Sequence, residues 1–524
     1  MPISARVSPG RYKDSVALMR LSERLAAAKG VRKAAVVMAT PANKDILKDA
    51  GLLVAEAEAA RADDLLAVIE AADARAVEAA MALLDRLLSE NQAIGSEAAT
   101  AARRPRSIAQ AMASDRAPNL ALISVPGPFA AAEALKALRA GLDVLLFSDN
   151  VPVEQERHIK DVARALGRLV MGPDCGTAIL GGVPLGFANV VRRGAIGLVA
   201  ASGAGLQQAI CLIDRLGEGV SHAIGTGGRD TSAAIGGITM LAGMELLAAD
   251  PGTKVVVLMS KPPAPEVAAA VLERAATLRK PVVVNFLGVD PLGSARRGNL
   301  LRATTLEEAA TVAVGALRRR KPPRIKAAIS AAALSRNERA GLLALYSGGT
   351  FCAEALMLWG EAGLAVHSNV PIDKRLVWRA GAKDQSHVAL DFGADEFTLG
   401  KPHPMIDPAG RIAAVAKAGR DPRVGVLLLD VVLGHGAHAD PAGALVPALR
   451  RAKADAKRSG RKLAVIAFVC GTERDPQGLR SQEAKLRDAG VLVETSSTRA
   501  ARLAARLVGG GARRDGKARA RDVA

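Results

Sequence analysis

Two short glycine-bearing turns carry the residues of this sequence best suited to chemistry. Ser202-Gly203-Ala204-Gly205 and Ser347-Gly348-Gly349-Thr350 each follow a buried-looking apolar run and precede a stretch of helix formers. A helix starting there offers unpaired backbone N–H groups and the positive end of its dipole, and small residues let an anion's oxygens approach closely. The chemistry implied is phosphate binding, at two anion sites or one shared site. The plainer alternative is a serine-capped strand-to-helix turn, common in any parallel sheet.

Other residues could join them. Gly225-Thr226-Gly227-Gly228 and Gly434-His435-Gly436 stand at the ends of further strands and could add backbone donors. Neither is followed by the Lys-Ser/Thr pair of a P-loop, and no GxGxxG turn supports a nicotinamide cofactor. Lys261, in LMSKPPAPE, ends another apolar run, where open α/β sheets place their ligand crevice. His403 lies in GKPHPMIDP, where two prolines could aim it into a cleft; His435 and His438 are expected in loops. Lys261 and His403 are the candidate catalytic groups, each weighed against an ordinary solvated loop residue. No HxxxH or His/carboxylate cluster supports a metal, and Cys175, Cys211, Cys352 and Cys470 are too scattered for a knuckle or a redox pair.

These turns need strands and helices to hold them. Residues 1 to about 95 read as a small α/β unit with a helix from Asp14 to about Lys29 and a strand from Ala34 to Met38. In TPANKDIL, Thr40 can cap the next helix and Pro41 fits its first turn. An amphipathic segment runs from Asp73 to Leu88, and residues 91–106 read as a linker. From Asn119 onward apolar strands alternate with Ala-rich helices at βαβ spacing, with buried strands at Ile196–Ala200, Val255–Met259 and Val282–Phe286. The basic linker RRRKPPRIK precedes a second block that answers the first: GLVAASGAGLQQAI matches LLALYSGGTFCAEAL, DPGTKVVVLM matches DPRVGVLLLD, and KPVVVNFLGVDPLG matches RKLAVIAFVCGTERDPQG. Three matches in one order point to duplication.

The 524 residues exceed one core and suit three or four units. Half are apolar but only 2% are aromatic, which favours α/β layers of small side chains over base-stacking surfaces. The net charge of +19 suits anionic partners; without nucleic-acid motifs, nucleic acid is not expected. No run approaches the roughly 20 apolar residues of a membrane span, and the amino terminus lacks a signal core, so a cytoplasmic protein without membrane association is expected.

The run ALISVPGPFAAAEALKALRAGLDVLLFSDNVPV, then MGPDCGTAI, GAIGLVAASGAG and GTGGRD, resembles the α subunit of succinyl-CoA synthetase in order and spacing. DFGADEFTLG with GVLLLDVVLGHGAHAD is similar to the carboxy-terminal part of the β subunit. With YKDSVALM, ATPANKDIL, GKPHPMIDP and CGTERDPQG the pattern resembles the FdrA family, fused relatives of that synthetase. The resemblance implies an α/β fold: a small N-terminal α/β domain (1–95), a truncated Rossmann-like CoA-binding-type domain (105–190), two flavodoxin-like synthetase-type domains (191–320 and 337–507) and a disordered basic tail (508–524). It also implies that Ser202, Gly203 and the Gly434 loop face a phosphate.

The departures redirect the chemistry. The phosphorylated histidine of the synthetases should follow VVVNFLGVDPLG, but no histidine occurs between Gly293 and His367, and Lys261 stands near the place of their orienting glutamate. The glycine-rich turn that opens the CoA-binding domain and an ATP-grasp domain are both missing. The family's link to oxamate carbamoyltransferase, in purine and allantoin breakdown, then implies transfer of a carbamoyl group from oxalurate to phosphate. Helix N-termini and Lys261 would stabilise the developing charge. The ligands implied are small carboxylates, phosphate or carbamoyl phosphate, with CoA a further candidate and no resident cofactor. Partner subunits encoded nearby and an oligomer are expected. An acyl-CoA synthetase and a non-catalytic anion-binding scaffold stay open as alternatives.

Overall fold

In a computed structural model, the structure describes residues 2–11, 13, 15–93, 105–290, 292–293, 298–329, 341–382, 384–398 and 402–509. The middle of the linker expected at 91–106, the start expected at 337 for the last domain, and most of the tail lie outside these residues.

In the amino-terminal unit, strands Ile3–Ser8 and Val31–Met38 flank Leu65–Ala71, each antiparallel to it. Alternation along the central strand decides what covers each face. Leu65, Ala67 and Ile69 pack with Leu21, Leu25 and Leu84 of helices Ser15–Ala26 and Ala74–Ala93. Leu66 and Val68 pack with Leu47 and Ala57 of helices Pro41–Asp49 and Ala55–Ala59. Thr40 caps its helix as expected, its Oγ1 accepting from the Asn43 N–H at 3.4 Å, with Pro41 in the first turn.

The rest of the chain holds three sheets. Strands Leu120–Ile123, Asp143–Leu146 and Val170–Met171 are parallel and carry helices Gly127–Arg139 and Val153–Ala165. A seven-stranded sheet runs Leu300–Arg302, Val282–Phe286, Val255–Ser260, Arg193–Ala201, Val220–Gly225, Thr177–Leu180 and Val183–Gly186. The last two form an antiparallel hairpin that adds to this sheet through Ile179 and Ala223, although they fall within the stretch 105–190 in the sequence reading. A six-stranded parallel sheet runs His367–Ser368, Val388–Asp391, Gly341–Tyr346, Val424–Val432, Ala464–Cys470 and Leu492–Glu494.

The two larger sheets share one plan. Arg193–Ala201 corresponds to Gly341–Tyr346, with Val220–Gly225 or Val388–Asp391 on one side. On the other side Val255–Ser260, Val282–Phe286 and Leu300–Arg302 answer Val424–Val432, Ala464–Cys470 and Leu492–Glu494 in the same order. This is the topology the three repeated sequence segments predict.

Helices Gly203–Arg215, Leu306–Arg318, Gly349–Glu361 and Ser497–Leu507 form a layer shared by both halves, in a common core with Leu206, Phe351, Trp359 and Phe468. Phe351 meets Phe468 edge-on at 5.1 Å. The buried Glu354 carboxylate accepts from Leu306 N–H at 2.8 Å and from the Ser497 and Thr498 hydroxyls at 2.5 and 2.8 Å. It thereby satisfies an orphan backbone donor at one helix start and two hydroxyls at another. All four cysteines are buried and free, and burial pushes the Cys175 thiol up to about 12, so they act as packing groups. Among the described residues no helix is long and apolar enough to cross a membrane.

Candidate functional site

The two glycine turns meet. Ser202 leaves the strand in extended conformation and caps its helix, Oγ accepting from Gly205 N–H at 3.0 Å. The same Oγ lies 2.6 Å from Thr350 Oγ1, a buried hydrogen bond across 148 positions of sequence. The approach is close enough to demand small residues: a Cβ on Gly348 would stand 2.7 Å from Ala204 Cβ, and one on Gly205 2.5 Å from Ser202 Oγ. Among the described residues, the N–H groups of Gly203, Ala204, Gly349 and Thr350 have no protein acceptor. Two positive helix ends and four N–H groups without a protein acceptor therefore adjoin.

The second turn is already partly neutralised from within. Asp430, inside the buried strand Val424–Val432, accepts from Ser347 N–H at 2.9 Å, Ser347 Oγ at 2.7 Å and Gly348 N–H at 3.0 Å. Arg411 pairs with it at 2.8 Å, and both side chains are buried. Ser347 thus serves Asp430, and the open donors of this turn begin at Gly349.

Lys261 stands at the mouth. Its exposed side chain makes no ion pair within 4.0 Å among the described residues, yet a Cβ on Gly349 would lie 3.4 Å from Nζ and 2.5 Å from Asp391 Oδ2. Burial raises the Asp391 carboxyl above its usual range, opposed by the Gly393 N–H at 2.9 Å and by the charge of Lys261. His403 lies beside them, Nε2 2.9 Å from the Cβ position of Gly393 and its ring 6.0 Å from Phe187. Its Nδ1 accepts from Met405 N–H at 3.3 Å, which assigns the proton to Nε2. Burial, with Arg411 adding and Asp430 opposing, lowers its pKa to about 4.

That shift has a testable sign. Between pH 6.5 and 4 the unfolded chain takes up a proton that folded His403 refuses, so its contribution to stability is lost as pH falls through that window. Across it, wild type should lose about 3 kcal/mol more than His403→Gln, read from denaturant melts at pH 7 and pH 4.

The other predicted loops sit differently. Gly227 has φ +83° and a Cβ there would be 2.2 Å from the Pro173 carbonyl oxygen, so glycine is required; Gly228 stands 4.0 Å from Asp174 Oδ2 on the same measure. Buried Lys160 anchors this loop, binding Asp230 at 2.7 Å and the Thr226 carbonyl at 3.1 Å. In Gly434-His435-Gly436 the first N–H donates to Gln477 at 3.0 Å and the second to the Ala188 carbonyl at 2.9 Å, while a Cβ on Gly436 would strike the Phe187 ring at 2.8 Å. The first donor is spent within its own half and the second on a seam between the halves. Asn189 locks the seam, donating to the Leu433 carbonyl at 2.8 Å and to Asp475 at 2.9 Å.

The structure therefore gathers Ser202, Gly203, Ala204, Gly348, Gly349, Thr350 and Lys261, with Ser347 and His403 one layer behind. Sequence reasoning missed Asp391 and Asp430. For Asp391 the available signal was a lone acid closing an apolar strand, in VALD, and for Asp430 a lone acid inside one, in VGVLLLDVV.

The family model "CoA-ligase" matches residues 345–507 and "CoA binding domain" matches 192–288, one unit downstream of the stretch expected to be CoA-binding-like. "AllF, heavy metal-associated domain" matches residues 1–105. Over 515 residues, 97% of this chain and 99% of the relative, the sequence is 42% identical to the uncharacterized protein YahF of Escherichia coli. The chain belongs to the FdrA family. This FdrA-family chain is also 30% identical over 188 residues to the succinate–CoA ligase α subunit of Methanothermobacter thermautotrophicus, covering 34% of the chain and 61% of that subunit. A sulfoacetate–CoA ligase subunit of Bilophila wadsworthia is 29% identical over 154 residues, 28% of the chain and 51% of that subunit. It is a succinyl-CoA synthetase-like protein of the CoA-ligase type that spans less than two thirds of either ligase subunit.

The heavy-metal description does not fit the residues present. The first histidine is His158 and the first cysteine Cys175, so residues 1–105 contain neither of the usual soft-metal ligands. Purified protein loaded with Cu⁺ or Zn²⁺ and desalted should retain no metal attributable to this unit, measured as equal content in full-length protein and a variant lacking residues 1–105.

Proposed function

We propose that this chain is an acid–thiol ligase-type protein, or a subunit of one, that moves an acyl group between phosphate and the thiol of CoA. The observation that carries this is the pair of adjoining helix starts, with four N–H groups that have no protein acceptor and Lys261 beside Gly349, a setting that suits a phosphate. In the forward step the thiol sulfur bonds to the acyl carbon, the bond from that carbon to the phosphate oxygen breaks, and phosphate leaves with the electron pair. The helix ends and Lys261 stabilise the charge on the leaving oxygen. The CoA-ligase relatives support this reading over transfer to phosphate alone.

A second reading rests on the missing histidine after Gly293. With no phosphohistidine at that place, phosphate itself would act as nucleophile, as in release of carbamoyl phosphate from oxalurate. Purified chain, alone and with the proteins encoded beside it, separates the two. Acyl-CoA formed from acetyl phosphate or succinyl phosphate and CoA supports the first; carbamoyl phosphate formed from oxalurate and phosphate, without CoA turnover, replaces it with the second. Tight phosphate binding with neither product leaves the scaffold reading.

A further inference from the structure

Resting on the anion-site reading, we infer that Asp391 sets the selectivity of that site: its free carboxylate oxygen accepts the proton of a bound hydrogen phosphate, so the site takes hydrogen phosphate and rejects anions of equal charge that carry no proton.

Strand pairing puts Asp391 at the second helix start. It closes Val388–Asp391 opposite Tyr346, the residue before the Ser347-Gly348-Gly349 turn. Its backbone is fixed by Asn369, which donates to the Asp391 carbonyl at 3.0 Å and accepts the Asp391 N–H at 2.9 Å. The residue is only 5% exposed, and its two carboxylate oxygens are used differently. Oδ1 accepts from Gly393 N–H at 2.9 Å, on the side of His403, for Oδ1 and His403 Nε2 lie 3.1 and 2.9 Å from the Cβ position of Gly393. Oδ2 faces the helix start, 2.5 Å from the Cβ position of Gly349, whose N–H is one of the four without a protein acceptor. Among the described residues Oδ2 accepts no hydrogen bond, whereas Asp430 spends both oxygens on Ser347, Gly348 and Arg411.

A buried carboxylate oxygen with no donor is costly, and beside an anion it is repulsive unless a proton lies between them. Burial raises the Asp391 carboxyl above its usual range, with the Gly393 N–H and Lys261 opposing, which is the direction of a group short of donors. Lys261 Nζ stands 3.4 Å from the same Gly349 point, yet the two side chains do not close to within 4.0 Å. A ligand atom between them must accept from the ammonium and donate to the carboxylate. An oxygen bearing a proton does both, and the two helix ends require that it belong to an anion. Hydrogen phosphate meets all three conditions. Sulfate matches it in shape and charge but brings no proton. With the backbone and Oδ1 both held, Oδ2 stays where an aprotic oxygen would meet it, so the rejection is built into the site.

Calorimetric titration of full-length protein at pH 8 with hydrogen phosphate, sulfate and methyl phosphate tests this. All three are dianions there, a phosphate monoester having a second pKa of about 6, and only the first carries a proton. Hydrogen phosphate should bind wild type about 10- to 100-fold more tightly than either of the others, the effect of one hydrogen bond to a charged group. Asp391→Asn keeps an oxygen for the Gly393 N–H and turns an amide N–H toward the site. It should bind all three within about threefold of one another, chiefly by gaining affinity for sulfate and methyl phosphate. Lys261→Met should weaken all three alike and keep their order. Equal binding of the three by wild type overturns the assignment without recourse to any variant. So does a preference that survives in Asp391→Asn, one that disappears with Lys261→Met, or one in which methyl phosphate joins hydrogen phosphate against sulfate. Each of these leaves the anion site in place. Failure of wild type to bind any of the three removes the anion site and this inference with it.

Discussion

Asp430→Ala should destabilise the protein by about 3–5 kcal/mol and abolish phosphate binding, the largest loss expected from any single change at the site. The substitution leaves the Arg411 guanidinium buried without its counter-charge and returns the Ser347 and Gly348 N–H groups to an unsatisfied state. Burial already works against that guanidinium, and Asp430 is the group opposing the effect. Chemical denaturation measures the loss. The double change Arg411→Met with Asp430→Asn should recover much of the stability, because it removes both charges together. Phosphate affinity should recover less, since Ser347-Gly348 loses the carboxylate that orients it. Equal stability of Asp430→Ala and wild type would show that the pair holds nothing in place.

Gly348→Ala should weaken phosphate binding at least tenfold with a smaller effect on stability, about 1–3 kcal/mol. The new methyl would stand 2.7 Å from Ala204 Cβ and 2.7 Å from the Phe351 ring, so the two helix starts must separate and the Ser202–Thr350 bond must lengthen. Ala204→Gly in the same chain vacates part of the contact and should restore some of the affinity, which isothermal titration with phosphate would read. Rescue without any initial loss, or loss without rescue, would place the effect in the Phe351 contact instead.

How much of this was legible beforehand follows from the range of the interactions. The cap at Thr40 with Pro41 depends on neighbours within four residues, and the serine turns at Ser202 and Ser347 announce themselves by a strand before and helix formers after. The duplication was legible because both halves repeat strand, turn and strand in one order, and the sheets confirm that order strand by strand. The convergence of the turns was left open because it rests on one hydrogen bond between positions 202 and 350. Asp430 stayed hidden because an acid near the end of a strand reads alike whether water or Arg411 meets it. Lys160 stayed hidden for the same reason: in VEQERHIKDVARA it looks like one more surface cation, yet it is buried between Glu156 and Asp230. The hairpin Thr177–Gly186 was assigned upstream because sequence shows its strands but not which sheet edge receives them.

The seam at Asn189 and Asp475 joins halves that belong to a single polypeptide. A cleft built between separate chains dissolves on dilution, because its two walls then part at a rate set by their affinity. Here the walls are tethered by the chain between Arg318 and Gly341, so their local concentration is fixed by covalent connection. The adjoining helix starts should therefore stay together at nanomolar protein, and any dependence of activity on protein concentration would report the recruitment of a further subunit.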